Sequence, residues 1–231
     1  MFERIENLIG KDMLCGIKNK TVLIIGLGGV GGSCVLSLVR SGIEKLIIVD
    51  FDVIEASNLN RQVISFQDEI GNKKIDSCER IVKRINPNCE IIKYDCFLDE
   101  SNIKSIFDKY RIDYVVDACD SIRTKQSIIR TCLNKKIKFI SCMGTGNKLD
   151  PTKLEITDIR KTVNDPIARI MRKWVKDNRI NDKIPVLSSS EVPLKKGKIV
   201  STMCFVPNVA GILMANYIIR NIIDNKKKIQ I

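Results

Sequence analysis

The chain has 231 residues, enough to bury the core of one large α/β domain or two small ones. With 44% hydrophobic and 29% charged residues it has the composition of an ordinary globular protein, which excludes a low-complexity or fibrous chain. The formal net charge of +12 points to an anionic partner, nucleic acid or an acidic membrane surface, and the absence of histidine leaves no imidazole base.

The nine cysteines include no CxxC pair, so no structural zinc is expected. They fall mostly inside apolar runs and read as reduced, buried thiols of a cytoplasmic protein. The opening MFERIENLIGKD is charged too early and too densely for a signal peptide. The apolar stretch VAGILMANYII near the end reads as a docking helix too short to span a bilayer, so no membrane partner is expected.

In chain order, residues 3–16 alternate charged and apolar positions at helical spacing and predict one or two short helices. TVLIIG is a buried strand, and Val30 to Ser41 a helix closed by Gly42. KLIIVD is the second strand, followed by a loop rich in Asn and Ser and a helix from Lys73 to Ile85. CEIIKYD, YVVDACD and KFISCM continue as strands, with helices at 102–110 and 127–134 between them. Strands and helices alternating at this pace predict βαβ units on a mostly parallel, Rossmann-like sheet with helices on both faces.

After Gly146 the pattern changes. LDPTKLEITDI reads as a strand, DPIARIMRKWVKDNRI as a helix, KIPVLSSSEVP as a loop or edge strand, and VAGILMANYIIRNIID as a closing helix. No linker intervenes, so residues 1–231 are read as a single domain, with a nucleotide-binding core over 1–146 and an α/β elaboration over 147–231.

The chemistry starts at Gly26-x-Gly28-Gly29-x-Gly31. Gly26 permits a tight turn, Gly28 lets backbone approach phosphate, and Gly31 lets the helix pack close to the strand. The helix N-terminus then offers amides and a positive dipole end to an anion. Asp50, nineteen residues after Gly31, stands where an acid binds ribose hydroxyls. The turn alone does not choose NAD over ATP. The next segment, VDFDVIEASNLNRQ, brings Asp52, Asn58, Asn60, Arg61 and Gln62 to the same strand end. Hydride transfer has no use for that set, whereas cleaving a triphosphate does. Arg61 can pair with phosphate oxygens, Lys74 adds a point charge, and Asp120 can hold Mg²⁺. On this reading Gly29 clears room for ATP.

GLGGVG, DFD, NLNRQ, GNKK, INPN and DYVVDACDS, in this order and at these spacings, resemble the ubiquitin-activating-enzyme-like (ThiF/MoeB-type) adenylating family over nearly the whole chain. The resemblance implies that Asp50 binds ribose, that Arg61 and Lys74 contact the ATP phosphates, and that Asp120 binds magnesium. It also implies that Arg4 reaches the nucleotide of a neighbouring subunit, and hence a homodimer. LDPT, ITDI, KT and DP after Gly146 are similar to the tRNA threonylcarbamoyladenosine dehydratase branch of that family. The branch's activity, so implied, is ATP-dependent activation of the threonyl carboxylate beside the anticodon, followed by ring closure with loss of water.

A tRNA partner gives the basic charge a place. Arg169, Arg172, Lys173, Lys176 and Arg179 project within an arc of roughly 120° on one helix, at about 100° per residue. Ile167, Ile170, Met171 and Trp174 take the opposite side, and Lys195, Lys196 and Lys198 extend the basic surface. A solvated amphipathic helix is the alternative. Cys119 and Cys204 read as structural thiols. Two other functions stay open: an adenylyltransferase charging a ubiquitin-like sulfur carrier, with a sulfur-relay protein as partner, and an NAD-binding oxidoreductase.

Overall fold

The computed structural model describes residues 1–194 and 200–229, with side chains to Asn225. Two short helices, α1 (Glu3–Ile9) and α2 (Lys11–Lys18), precede β1 (Thr21–Ile25), which feeds α3 (Gly29–Arg40) and β2 (Lys45–Val49). Then come α4 (Lys74–Ile85), β3 (Glu90–Tyr94), α5 (Ile103–Lys109), β4 (Tyr114–Asp117), α6 (Ile122–Lys135) and β5 (Lys138–Cys142). The last third adds β6 (Leu154–Asp158), α7 (Pro166–Asp177), β7 (Pro185–Ser189) and α8 (Phe205–Ile229).

The strands form one seven-stranded sheet in the order β3-β2-β1-β4-β5-β7-β6. Every pairing is parallel except β6 on β7. Alternate strand residues divide the core into two layers. Val22, Ile24, Leu46 and Ile48 face α3, α4 and α8, while Leu23, Ile25, Ile47 and Val49 face α5, α6 and α7. The apolar runs TVLII and KLIIV are therefore covered on both sides, as central parallel strands must be. Strand order reverses between β1 and β4, so the crevice at their C-terminal ends is the expected ligand position.

Two readings of the last third are corrected. KIPVLSSSEVP does not supply an edge strand: β7 is interior, buried over Val186–Ser189, and the edge belongs to β6. The closing helix is also longer than its apolar stretch. Among the described residues, α8 is long and apolar enough by length and composition to cross a membrane. Its Ala210, Met214, Ala215, Ile218 and Ile222 nevertheless pack into the core beside α3. Gly211 makes that approach possible, since a Cβ there would lie 2.2 Å from the Val30 carbonyl oxygen.

Candidate active site

The glycine turn does three separate jobs. Gly26 has φ +90°, a conformation costly for any residue with a Cβ, and its amide donates to the Val49 carbonyl at 2.9 Å. A Cβ on Gly31 would sit 1.8 Å from the Gly26 oxygen, so helix and strand meet here without a side chain between them. A Cβ on Gly28 would meet nothing within 4 Å, leaving its face open to a ligand. No side chain caps the N-terminus of α3, so its first amides remain available to an anion.

Gly29 has close protein neighbours of its own. A Cβ there would come within 3.1 Å of both the Arg61 carbonyl oxygen and Cβ of Pro207. The absence of a side chain there admits the arginine loop and the start of α8.

Asp50 ends the second strand, almost wholly buried. Its carboxylate accepts from the amides of Leu27 (2.5 Å) and Asp52 (2.8 Å), tying β2 to the glycine turn. Burial raises its pKa; these two amides and nearby Lys74 pull the other way without cancelling the rise. Lys74 opens α4, is buried, and reaches Asp52 Oδ2 at 2.6 Å.

The Asn-rich loop is a built structure. Asn58 is buried and closes a capping box with Glu55, and Gln62 is buried with its Oε1 accepting from Ser65. Asn60 donates to the Thr202 carbonyl at 3.0 Å. Arg61 Nη1 donates to Ser57 O (2.6 Å) and Asn60 Oδ1 (3.0 Å), so the fork is aimed by its own loop. Asn208, on the first turn of α8, donates to the Arg61 carbonyl at 3.1 Å and pairs with Ser33 Oγ on α3. Asn208 carries no motif signal, and only the fold shows that it fastens the loop to the nucleotide helix.

Beyond β4, Asp120 is exposed, and Ser121 rather than an aspartate caps α6. Asp117, fully buried, is held by Lys125 Nζ at 3.2 Å to both oxygens, by Ser141 Oγ at 2.5 Å and by the Cys119 amide at 3.3 Å. Burial alone would depress Lys125; Asp117 outweighs it and holds the ammonium above its usual pKa. Burial, with Asp117 next, pushes the Cys119 thiol well up, away from a reactive thiolate.

Among the remaining expected residues, Arg4 is exposed on α1 and makes no hydrogen bond or ion pair with the site residues among those described. On α7, Arg169, Lys173 and Lys176 are exposed; Arg179, expected on the same helix, lies beyond it, because α7 ends at Asp177 and Arg179 takes a left-handed turn (φ 53°). Arg172 differs: it is half-buried and donates to the Thr162 carbonyl at 2.7 Å. Ile170, expected on the apolar side, is also exposed. Lys195, Lys196 and Lys198 lie outside the described residues.

A glycine turn at the switch point, a buried acid at the end of β2 and an anchored arginine loop are the marks of a nucleotide-binding α/β domain of the adenylating kind. The sequence pattern of the ThiF family spans residues 2–230, and the chain belongs to that family. It is 36% identical to the tRNA threonylcarbamoyladenosine dehydratase of Bacillus subtilis over 97% of this chain and 95% of that one. Sequence alignments with further dehydratases from Saccharomyces cerevisiae, Haemophilus influenzae and Escherichia coli cover 43–65% of those chains. The structure of the E. coli dehydratase TcdA in complex with ATP superposes with a TM-score of 0.92 at 26% identity, covering 98% of this chain and 95% of that one. A yeast adenylyltransferase and sulfurtransferase, UBA4, is 33% identical over 62% of this chain but 32% of its own length.

Proposed function

We propose that this protein is an ATP-dependent tRNA threonylcarbamoyladenosine dehydratase. The observation that carries the reading is the match to the B. subtilis dehydratase along almost the whole of both chains, including the region after Gly146. The nucleotide is ATP. Its phosphates lie against the amides of Gly28 and Gly29, Arg61 and Lys74 neutralise them, and Asp50 accepts from the ribose hydroxyls. Asp52 positions Lys74; Asn58, Asn60 and Gln62 hold the loop that carries Arg61.

The donor set also fits magnesium, which takes one or two carboxylates together with phosphate oxygens and water. Asp120 is an exposed carboxylate without an ion pair among the described residues, while Asp117 is already committed to Lys125. Bound there, the ion would neutralise charge on the phosphates.

The threonyl carboxylate oxygen attacks a phosphorus of ATP, a phosphate bond breaks, and a mixed anhydride forms. The substrate's own nucleophile then attacks the activated carbonyl and releases its proton to solvent, closing the ring and expelling the phosphate-bearing group with the carboxylate oxygen. The net change is loss of water coupled to ATP cleavage. The protein supplies position and charge, and the nucleophile belongs to the substrate, so neither histidine nor a cysteine thiolate is required. Arg4 acts across a homodimer at the partner's nucleotide, α7 contacts the tRNA backbone, and the enzyme works in the cytoplasm.

Nucleoside mass spectrometry of tRNA from cells lacking the protein tests this reading directly. Loss of the cyclic adenosine derivative and accumulation of the open form are expected; retention of the cyclic form would refute it. The UBA4 match favours a second reading, an adenylyltransferase for a ubiquitin-like sulfur carrier served by a sulfur-relay partner. That reading requires pyrophosphate exchange stimulated by a protein with a Gly-Gly tail.

A further inference from the structure

Helix α7 runs back along the sheet, from the C-terminal ends of the strands to their N-terminal ends. Its N-cap, Asp165, accepts from the Gly144 amide just beyond β5 at 2.8 Å, and its last turn leads through 178–184 to the start of β7. Twelve residues at about 1.5 Å each make a rail of about 18 Å. At its far end, two adjoining hollows of about 350 and 520 Å³ run between the end of α6 and the loop after α7. Arg130, Lys136, Lys138, Arg179 and Lys183 line them, against the single acid Asp182. Lys136, Arg179 and Lys183 are exposed and form no ion pair among the described residues. A concave surface with this excess of positive charge needs an anion to answer it.

The backbone gives a second, independent observation. Four non-glycine residues among those described have positive φ. Two are Asn147 and Asn164, of a type that tolerates it. The other two are Lys136 (φ 55°) and Arg179 (φ 53°), placed at the ends of α6 and α7 where glycine is the usual choice. A left-handed lysine or arginine is strained where glycine is not. At both positions the sequence accepts that strain, and at both the residue is a cation facing the same groove.

We propose that this groove, at the N-terminal ends of the strands and so at the opposite end of the sheet from the nucleotide site, is a second binding surface for the tRNA phosphate backbone, holding a part of the molecule remote from the modified adenosine. The proposal rests on the tRNA reading above, and α7 is the path that joins the two surfaces.

The test uses the full-length enzyme with two probes, complete tRNA bearing threonylcarbamoyladenosine and a hairpin of its anticodon loop with a few base pairs. Binding is followed across a salt titration for the wild type, the double variant K136G/R179G, and K183Q. Glycine relieves the left-handed strain, so the double variant is expected to keep or raise the Tm. Its salt slope for complete tRNA should be shallower by about 0.7–0.9 for each phosphate no longer neutralised, with weaker affinity. K183Q should leave about one phosphate without its cation, and hairpin binding should stay at the wild-type level. An unchanged slope with complete tRNA, an equal weakening with the hairpin, or a fall in Tm in the glycine variant would overturn the proposal. Failure of the wild type to bind or cyclise tRNA would instead overturn the reading on which it rests.

Discussion

Two buried lysine–aspartate pairs stand under the two halves of this molecule and behave in opposite ways. Lys125 and Asp117 lie below the nucleotide site, with the ammonium 3.2 Å from both carboxylate oxygens. Lys148 and Asp165 lie below the start of α7, with a single approach of 3.7 Å. Both pairs are at most 1% exposed in their side chains. Burial pushes each lysine toward its neutral form, and the neighbouring aspartate pushes back. For Lys125 the aspartate prevails and the pKa is raised; for Lys148 burial prevails and it is lowered. Geometry therefore sets the direction in which each lysine's pKa moves. Asp165 can be the weaker electrostatic partner because it is otherwise satisfied, accepting from the amides of Gly144 and Ala168.

Removing one lysine at a time sharpens the contrast. Lys125→Met leaves Asp117 charged and buried, and should cost about 3–5 kcal/mol, read as a lower urea midpoint. Lys148→Met leaves Asp165 on its two amides but orphans the carbonyls of Gly144 and Ser189, so a loss of about 1–3 kcal/mol is expected. The pH dependence should differ in sign. Lys125, with a raised folded pKa, contributes fully below 10.5, the ordinary lysine value, and loses that contribution above it. Lys148, with a lowered folded pKa, costs stability at low pH, and the cost is relieved as pH rises toward 10.5. The wild type's advantage over the Lys148 variant should thus widen just below pH 10.5, while its advantage over the Lys125 variant stays level. Parallel curves would mean that the two pairs do not differ.

The buried thiols set the background for that measurement. Burial pushes Cys78 and Cys142 to about 12 and raises Cys34 further, against 9.0 for a free thiol. The unfolded chain loses these protons near pH 9 and the folded chain does not. Each such thiol should therefore remove about 1.4 kcal/mol of stability per pH unit above 9. Cys34→Ala should flatten the alkaline slope by that amount, and an unaltered slope would contradict the assignment. The smallest effect is expected at Gly29→Ala, where a methyl at 3.1 Å must displace the Arg61 carbonyl or Pro207. About 1–2 kcal/mol of destabilisation, with weaker ATP binding, should follow. Undisturbed stability with weaker ATP binding would assign Gly29 to the nucleotide.

The first half was legible because its signals are local. Apolar runs, helix stops and a glycine turn announce β1, α3 and β2 within a few dozen residues, and Asp50 and Arg61 follow at short range. What stayed hidden was long-range. Nothing near residue 125 in the chain says that its lysine pairs with Asp117, and nothing near residue 208 says that its amide grips the Arg61 loop. The strand β7 was misread for the same reason: Pro185 and a run of serines look like an edge, yet β6 returns to cover it. Ile170 and Arg172 escaped a helical-arc argument because the arc does not know where the sheet lies. Thr162, which fixes Arg172, comes from outside the helix.

The seat of α8 on α3 has a practical consequence. Cutting the chain at Gly146 would retain every residue of the glycine turn and the arginine loop, yet it would strip the apolar cover from α3 and remove Asn208. Such a fragment should aggregate on expression rather than bind nucleotide, since a bare helix face and a mostly parallel sheet offer water a large greasy surface. Attempts to minimise this enzyme should therefore shorten its surface loops and keep its last helix.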